Sequence, residues 1–160
     1  MRFGANILPV LVGLFLWVGA AEKPPVLLRV HLQAPEGAKG QVSVPVTLFQ
    51  PNETIAIQSL PEVTEKEIRR ISTRVDGTVL VEFNDFGKTK LEVATSTGRG
   101  FILVVLVNGR VVYAPRIDTV ITNGSILLPP GSITPDEILQ VNGEVEKLKE
   151  QRLKDVPRSN

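Results

Sequence analysis

Residues 101–117 read FILVVLVNGRVVYAPRI. Seven apolar residues, Phe101 to Val107, run up to Asn108-Gly109, and a second apolar run, Val111 to Ala114, stops at Pro115. Asn-Gly between two runs rich in β-branched side chains predicts a β-hairpin with a two-residue loop. The reason is steric: a type I′ turn needs positive φ at both central residues, and Asn and Gly tolerate that region best. The fold expected around this hairpin is α+β, a small, mostly antiparallel sheet with two or three short helices.

Upstream of the hairpin, several segments alternate with the period of a strand. In Val26 to Gln33, Leu28, Val30 and Leu32 alternate with Arg29, His31 and Gln33, which predicts a half-buried strand. His31 falls on the polar face. It is the one histidine of the chain, with no cysteine and no acidic cluster near it, so it reads as an exposed strand residue and not as a metal ligand. Val42 to Phe49 alternates in the same way, with Val42, Val44, Val46 and Leu48 on one face. Pro45 cannot donate to a ladder and places that strand at an edge or at a bulge. Pro51-Asn52 predicts a turn, Thr54 to Ile57 a short strand, and Thr78 to Phe83 another. Asn52-Glu53-Thr54 and Asn123-Gly124-Ser125 match the glycosylation sequon and read first as turns.

Helices are predicted from capping signals. Thr64 with Glu67 three residues on forms a capping box, so a helix is expected from Glu65 to Ser72 with Ile68 and Ile71 inward and Arg69, Arg70 and Arg74 outward. A second is expected over Lys88 to Thr95, with Leu91 and Ala94, and Phe86 ahead of them, as its inner stripe. Ser96 to Gly100 reads as a tight polar reversal. Asn123-Gly124 reads as a turn of the same kind as Asn108-Gly109. Ser125 to Leu128 is a short strand halted by Pro129-Pro130-Gly131. Thr134, Pro135 and Glu137 then open a short helix to Val141. Asn142-Gly143 interrupts it, and the charged stretch after that is a further helix or a tail.

Composition narrows the function classes. The chain has 160 residues, 42% hydrophobic, a formal net charge of +1 and no cysteine. A near-neutral balance gives no reason to expect a nucleic-acid partner. Met1-Arg2-Phe3, the uncharged run Gly4 to Ala21 and small residues at Val18-Gly19-Ala20 read as a signal peptide over residues 1–21, or alternatively as an uncleaved membrane anchor. Either places the remainder in the periplasm or outside the cell, with membrane contact only through that N-terminal segment. The expected organisation is a leader at 1–21, one domain at 22–145 and a charged helix or tail at 146–160.

Catalytic constellations are missing. Thiol chemistry needs a cysteine, and no Gly-x-Ser-x-Gly elbow stands near His31. Gly87-Lys88-Thr89 lacks the glycine a phosphate loop needs five residues earlier, where Glu82 stands. Glu82, Asp85, Asp118 and Asp136 leave a carboxylate pair open to a structure. No catalytic residue, metal ligand or cofactor site is assigned, and the chain is expected not to be an enzyme.

One ordered pattern goes beyond these local readings. Phe83-Asn84-x-x-Gly87, Thr95, Gly98, Val111-x-x-Ala114-Pro115-x-Ile117, Ile121-x-x-Gly124-Ser125 and Thr134 with Glu137 follow one another in order. The series resembles the head part of the first periplasmic domain of SecD, the protein-export membrane subunit also found fused as SecDF. It covers residues 53–145 and is clearest from Phe83 to Ile138. That family usually has Asp-Gly where this chain has Asn108-Gly109, and either pair suits the turn. Its members carry membrane-spanning helices after this part, and no stretch after Ala21 is long and apolar enough to span. The resemblance therefore implies a non-enzymatic extracytoplasmic module that contacts another envelope protein or an unfolded or translocating polypeptide. The alternative is a module binding a small molecule or envelope polymer through Arg69, Arg70, Arg99 or Arg116.

Overall fold

The computed structural model describes residues 24–37, 43–49 and 52–154. The leader expected at 1–21, the turn residue Pro51 and the tail 155–160 lie outside them. Among the described residues the architecture is α+β: two helices and nine strands, every strand pair antiparallel, in sheets of four, two and three strands.

The hairpin is the spine of the four-stranded sheet. β7 (Leu103–Val107) and β8 (Arg110–Tyr113) pair across a turn in which Asn108 has φ 50° and Gly109 φ 78°. β7 also pairs with β1 (Leu28–Leu32), and β1 with the two-residue β4 (Val63–Thr64), in the order β4-β1-β7-β8. Leu28, Val30 and Leu32 on β1, with Leu103, Val105 and Val107 on β7, enter the main core. The other face of this sheet carries Ile102, Val104 and Leu106, and there the two-stranded ribbon lies: β2 (Ser43–Phe49) and β3 (Asn52–Gln58). Leu48, Ile55, Ile57 and Val104 form a second small core between the layers. The unbroken apolar run of β7 is thus the signature of a strand covered on both faces. β2 is the free strand of its ribbon, which is where Pro45 is tolerated. Val44, expected inward, is exposed.

The three-stranded sheet, β5-β6-β9, is built from Ile68–Thr73, Val79–Phe83 and Ser125–Leu128. Here the expected helix over Glu65 to Ser72 is corrected. The Thr64 capping box forms, but it caps only a 3-10 turn at Glu65–Glu67, after which the chain is strand β5. Ile68 and Ile71 are both buried, as a helix would bury them, because a register shift between Ile68 and Arg70 converts a spacing of three into one strand face.

Helix α1 (Asp85–Thr97) starts one turn earlier than expected, capped by the Asn84 side chain, which accepts from the Gly87 N–H at 2.9 Å. Leu91 and Ala94 are buried as expected. Phe86 is not: it lies in solvent with the Lys90 ammonium 4.6 Å from its ring centroid. Helix α2 runs from Pro135 to Lys154, twenty residues, so neither its expected end at Val141 nor an interruption at Asn142-Gly143 holds. Asn142 is instead a stitch to β5. Its Oδ1 accepts from the Ile71 N–H at 2.9 Å and its Nδ2 donates to the Ile71 carbonyl at 2.8 Å. The Asn123-Gly124 turn also differs from expectation, since only Gly124 has positive φ there, and Asn123 Oδ1 accepts from the Ser125 N–H at 3.1 Å.

Candidate functional site

Phe83, Asn84, Gly87, Thr95, Ile121 and Gly124 of the ordered pattern meet at one junction between β6, α1 and the segment leading to β9, whereas Val111 and Ala114 pack on the second core and Thr134 and Glu137 stand at the start of α2. The Phe83 N–H donates to the Gly124 carbonyl at 2.9 Å, and the Asn84 N–H to the Glu67 carbonyl at 2.8 Å. Thr95 is fully buried; its hydroxyl donates to the Leu91 carbonyl at 2.8 Å and accepts from the Ile121 N–H at 3.0 Å. Gly124 sits at φ 70°, and a Cβ there would lie 2.8 Å from the Cβ of Lys88. Gly87 lies against Glu67, where a Cβ would come within 2.7 Å of the Glu67 Cβ. The Gly87-Lys88-Thr89 triplet is therefore helix packing. This part of the pattern is a joint of the fold, and the side chains of Asn84 and Thr95 are spent on backbone partners.

Beside this joint the structure leaves a slot of about 280 Å³ between the tail of the hairpin and β9. Tyr113, Pro115, Ile117, Ile121, Ile126 and Leu127 supply most of its apolar wall. The tail continues past β8 in irregular pairing: the Leu103 N–H donates to the Pro115 carbonyl and the Ile117 N–H to the Phe101 carbonyl, both at 2.9 Å. β9 pairs with β6 on one side only. In this register Ile126 and Leu128 exchange backbone bonds with β6, as Gly124 does with Phe83. Alternate residues of an antiparallel strand face the other way, so the N–H and C=O of Leu127 point to the unpaired edge. The Leu127 side chain is exposed there. A larger, shallower groove of about 570 Å³ runs along α2, walled by Pro25, Leu139, Gly143 and charged side chains. It lacks a free strand edge, and Gln140 at its rim is tied to the Pro24 carbonyl at 2.7 Å.

The arginines do not converge. Arg69 pairs with Glu82 at 2.9 Å, Arg70 and Arg99 are exposed, and Arg116 lines the slot while donating to the Gly100 carbonyl. None of Arg69, Arg70 and Arg99 lines that slot. Of the four carboxylates, Glu82 lies on β6, Asp85 and Asp136 in the first turns of α1 and α2, and Asp118 in the slot wall. Among the described residues no group of three or more His, Asp or Glu side chains is placed to hold a metal ion.

Two acidic residues are strongly engaged. Glu67 accepts from the Thr64 N–H and hydroxyl, each at 2.7 Å, and from Lys90 at 3.1 Å. Burial alone would raise its carboxyl, but these hydrogen bonds and the Lys90 charge outweigh it and hold the carboxyl below its ordinary 4.5. Glu137 repeats the arrangement at α2: burial opposes, and the Thr134 box and Arg110 win. Its Oε1 also accepts from Asn108 Nδ2 at 2.9 Å. Asn108 thus does what an aspartate in the turn could not, donating from the hairpin to the start of α2.

His31 is a correction. It is 5% exposed, and its Nδ1 lies 2.8 Å from the Gln58 carbonyl on β3. A carbonyl can only accept, so Nδ1 carries the proton and Nε2 is the basic nitrogen. The sequence assigned His31 correctly to the face opposite Leu28 and Val30, but the ribbon covers that face. The signal that could have found this was the apolar run of β7, whose Val104 stands directly opposite His31.

No protein-family model and no curated protein matches the chain. Among solved structures it is similar to a crystal structure of SecDF in a super-membrane-facing form, with a TM-score of 0.56 and 22% identity over 73% of this chain and 18% of that one. It is also similar to a structure of SecDF described as a membrane component that enhances protein export, with a TM-score of 0.53 and 17% identity over 76% of this chain and 62% of that one. The chain thus spans less than two thirds of either protein. At these identities the likeness is one of fold: the chain has the α+β fold of a part of SecDF.

Proposed function

We propose that this domain is a non-enzymatic polypeptide-contact module of the cell envelope, and that its contact element is the free edge of β9 beside the apolar slot. The observation that carries this reading is the unpaired backbone of Leu127 next to a wall of Tyr113, Pro115, Ile117 and Ile121. An extended segment can add its own backbone to such an edge and set alternate side chains into the slot. The fold shared with a protein-export component supports a polypeptide partner, and the apolar leader supports a location outside the cytoplasm. Among the described residues no helix is long and apolar enough to cross a membrane.

The test is a photocrosslinking residue at Thr119, on the slot wall, with a second at Val75, exposed on the β5–β6 turn, as control. Thr119 is expected to crosslink polypeptides in intact cells. Leu127→Pro removes an N–H that β6 does not use, and it should abolish those crosslinks while leaving the fold intact. Equal crosslinking from Thr119 and Val75, or crosslinks unaffected by Leu127→Pro, would count against edge pairing.

A further inference from the structure

We infer that His31 is an acid-sensitive latch that holds the β2–β3 ribbon against the four-stranded sheet. Among the described residues the ribbon is a separate two-stranded sheet, joined to the four-stranded one by one isolated bridge. Its two strands of seven residues each pair with one another, and the buried side chains of its small core are Leu48, Ile55 and Ile57 against Val104, with partly buried neighbours such as Val46 and Ile102 packed on them. That burial is favourable, but the cost of ordering the ribbon's backbone opposes it. Polar ties therefore contribute to docking beside a small apolar contact. Among the described residues they include the Ala34 N–H to the Ala56 carbonyl at 2.7 Å, the bridge between Gln33 and Ile57, and the His31 bond to Gln58 at 2.8 Å.

Of these ties, His31 is the one that titrates. With Nδ1–H committed to the Gln58 carbonyl, a second proton must go to Nε2 and adds a full charge inside an apolar seam. Arg29, its neighbour on β1, opposes that charge, and Glu62, in the segment before β4, favours it. β7 presents Val104, and β2 carries no charged residue. The charged residue of β3, Glu53, is five positions along the strand from Gln58. Burial is the largest influence, and the imidazole lies below its ordinary 6.5. A group that binds its proton more weakly when docked favours docking above the ordinary value and withdraws that support as pH falls below it. Release would uncover Ile102, Val104 and Leu106, a second apolar surface distinct from the slot.

Amide hydrogen exchange on the whole chain, corrected for intrinsic rates, tests the latch at about pH 7.5 and about pH 5. The Ala34 N–H reports ribbon docking, and the Phe83 N–H reports the rest of the fold. The opening constant at Ala34 is expected to rise about threefold or more on acidification, with Phe83 unchanged. His31→Gln, which can still donate to the Gln58 carbonyl, should remove the pH response. His31→Phe serves the same purpose should the glutamine variant already be open at the higher pH. No rise at Ala34, an equal rise at Phe83, or a response that survives both substitutions would overturn the inference.

Discussion

Replacing Asn142 by alanine tests whether α2 is joined to β5 by a side chain as well as by packing. The register of β5 with β6, and the bond from the Arg74 N–H to the Thr78 carbonyl, turn the N–H and C=O of Ile71 away from β6. Asn142 satisfies both, at 2.9 and 2.8 Å, and so closes an edge that would otherwise stand open. Ile71 is 1% exposed, so its backbone has little access to water once the amide is gone. Each lost neutral bond costs about 1 kcal/mol, with a further penalty for the unsatisfied groups. Alanine's better helix propensity offsets roughly 0.6 kcal/mol. The net loss expected is about 2 kcal/mol, or about 7 °C in Tm for a domain of this size. Asn142→Asp is the sharper variant. It keeps an acceptor for the N–H but sets a carboxylate against the Ile71 carbonyl, so near neutral pH it should be less stable than alanine. Urea unfolding followed by circular dichroism measures both, with the slope unchanged if only stability has moved. Alanine within about 0.5 kcal/mol of the parent, or an aspartate variant as stable as the parent, would refute the stitch.

Asn108→Asp should destabilise by about 0.5–1 kcal/mol, because it exchanges the donor to Glu137 for a second carboxylate at a partly exposed contact. The loss should shrink in acid, as the carboxyls protonate, and chemical denaturation across pH reads it. Glu67 and Glu137 both have carboxyls lowered from 4.5 in the fold. Their stabilisation is complete above that value and disappears as pH falls through the lowered folded values. Glu67→Gln should therefore be less stable near neutral pH and lose less stability than the parent between about pH 6 and about pH 3. Gly109→Ala and Gly124→Ala separate conformation from space: both have positive φ, but nothing lies within 4 Å of a Cβ at Gly109, whereas Lys88 blocks one at Gly124. The first should cost about 1 kcal/mol and the second clearly more, as thermal melts of the two variants will show.

Features encoded locally were the ones legible in the sequence. Asn108-Gly109 adopts the conformation its residue types demand, and both threonine–glutamate boxes form. The conformation of the chain beyond each box was not legible. Val63-Thr64-x-x-Glu67-Ile68-x-x-Ile71 and Ile133-Thr134-x-x-Glu137-Ile138-x-x-Val141 share one pattern, yet the first becomes a bulged strand and the second a helix. The first continues into Ser72-Thr73 and has β6 to pair with. The second has Pro135 at its first helical position and continues through Leu139 and Gln140, better helix formers. Asn142-Gly143 looks like a break until β5 supplies the partner that makes Asn142 useful inside a helix. Phe86 looks like core because it is aromatic, but five residues before Leu91 it falls off the buried stripe, whose position one turn earlier is Gly87. The slot was not legible at all, because it exists only where β9 comes to lie beside the hairpin tail.

The position of β1 between β4 and β7 has a kinetic consequence. Its ties to the hairpin join residues 69 to 81 positions apart, from Gln33–Ile102 to Leu27–Asn108. Pairings of such long range close slowly, since the intervening chain must be gathered first. The hairpin, by contrast, closes over two residues and can form on its own timescale. For a chain delivered from its N-terminus, the first of the described strands to emerge finds its main partner only when Val107 has followed. Until then β2–β3 and β5–β6 can pair locally, while β1 waits for a partner from far along the chain.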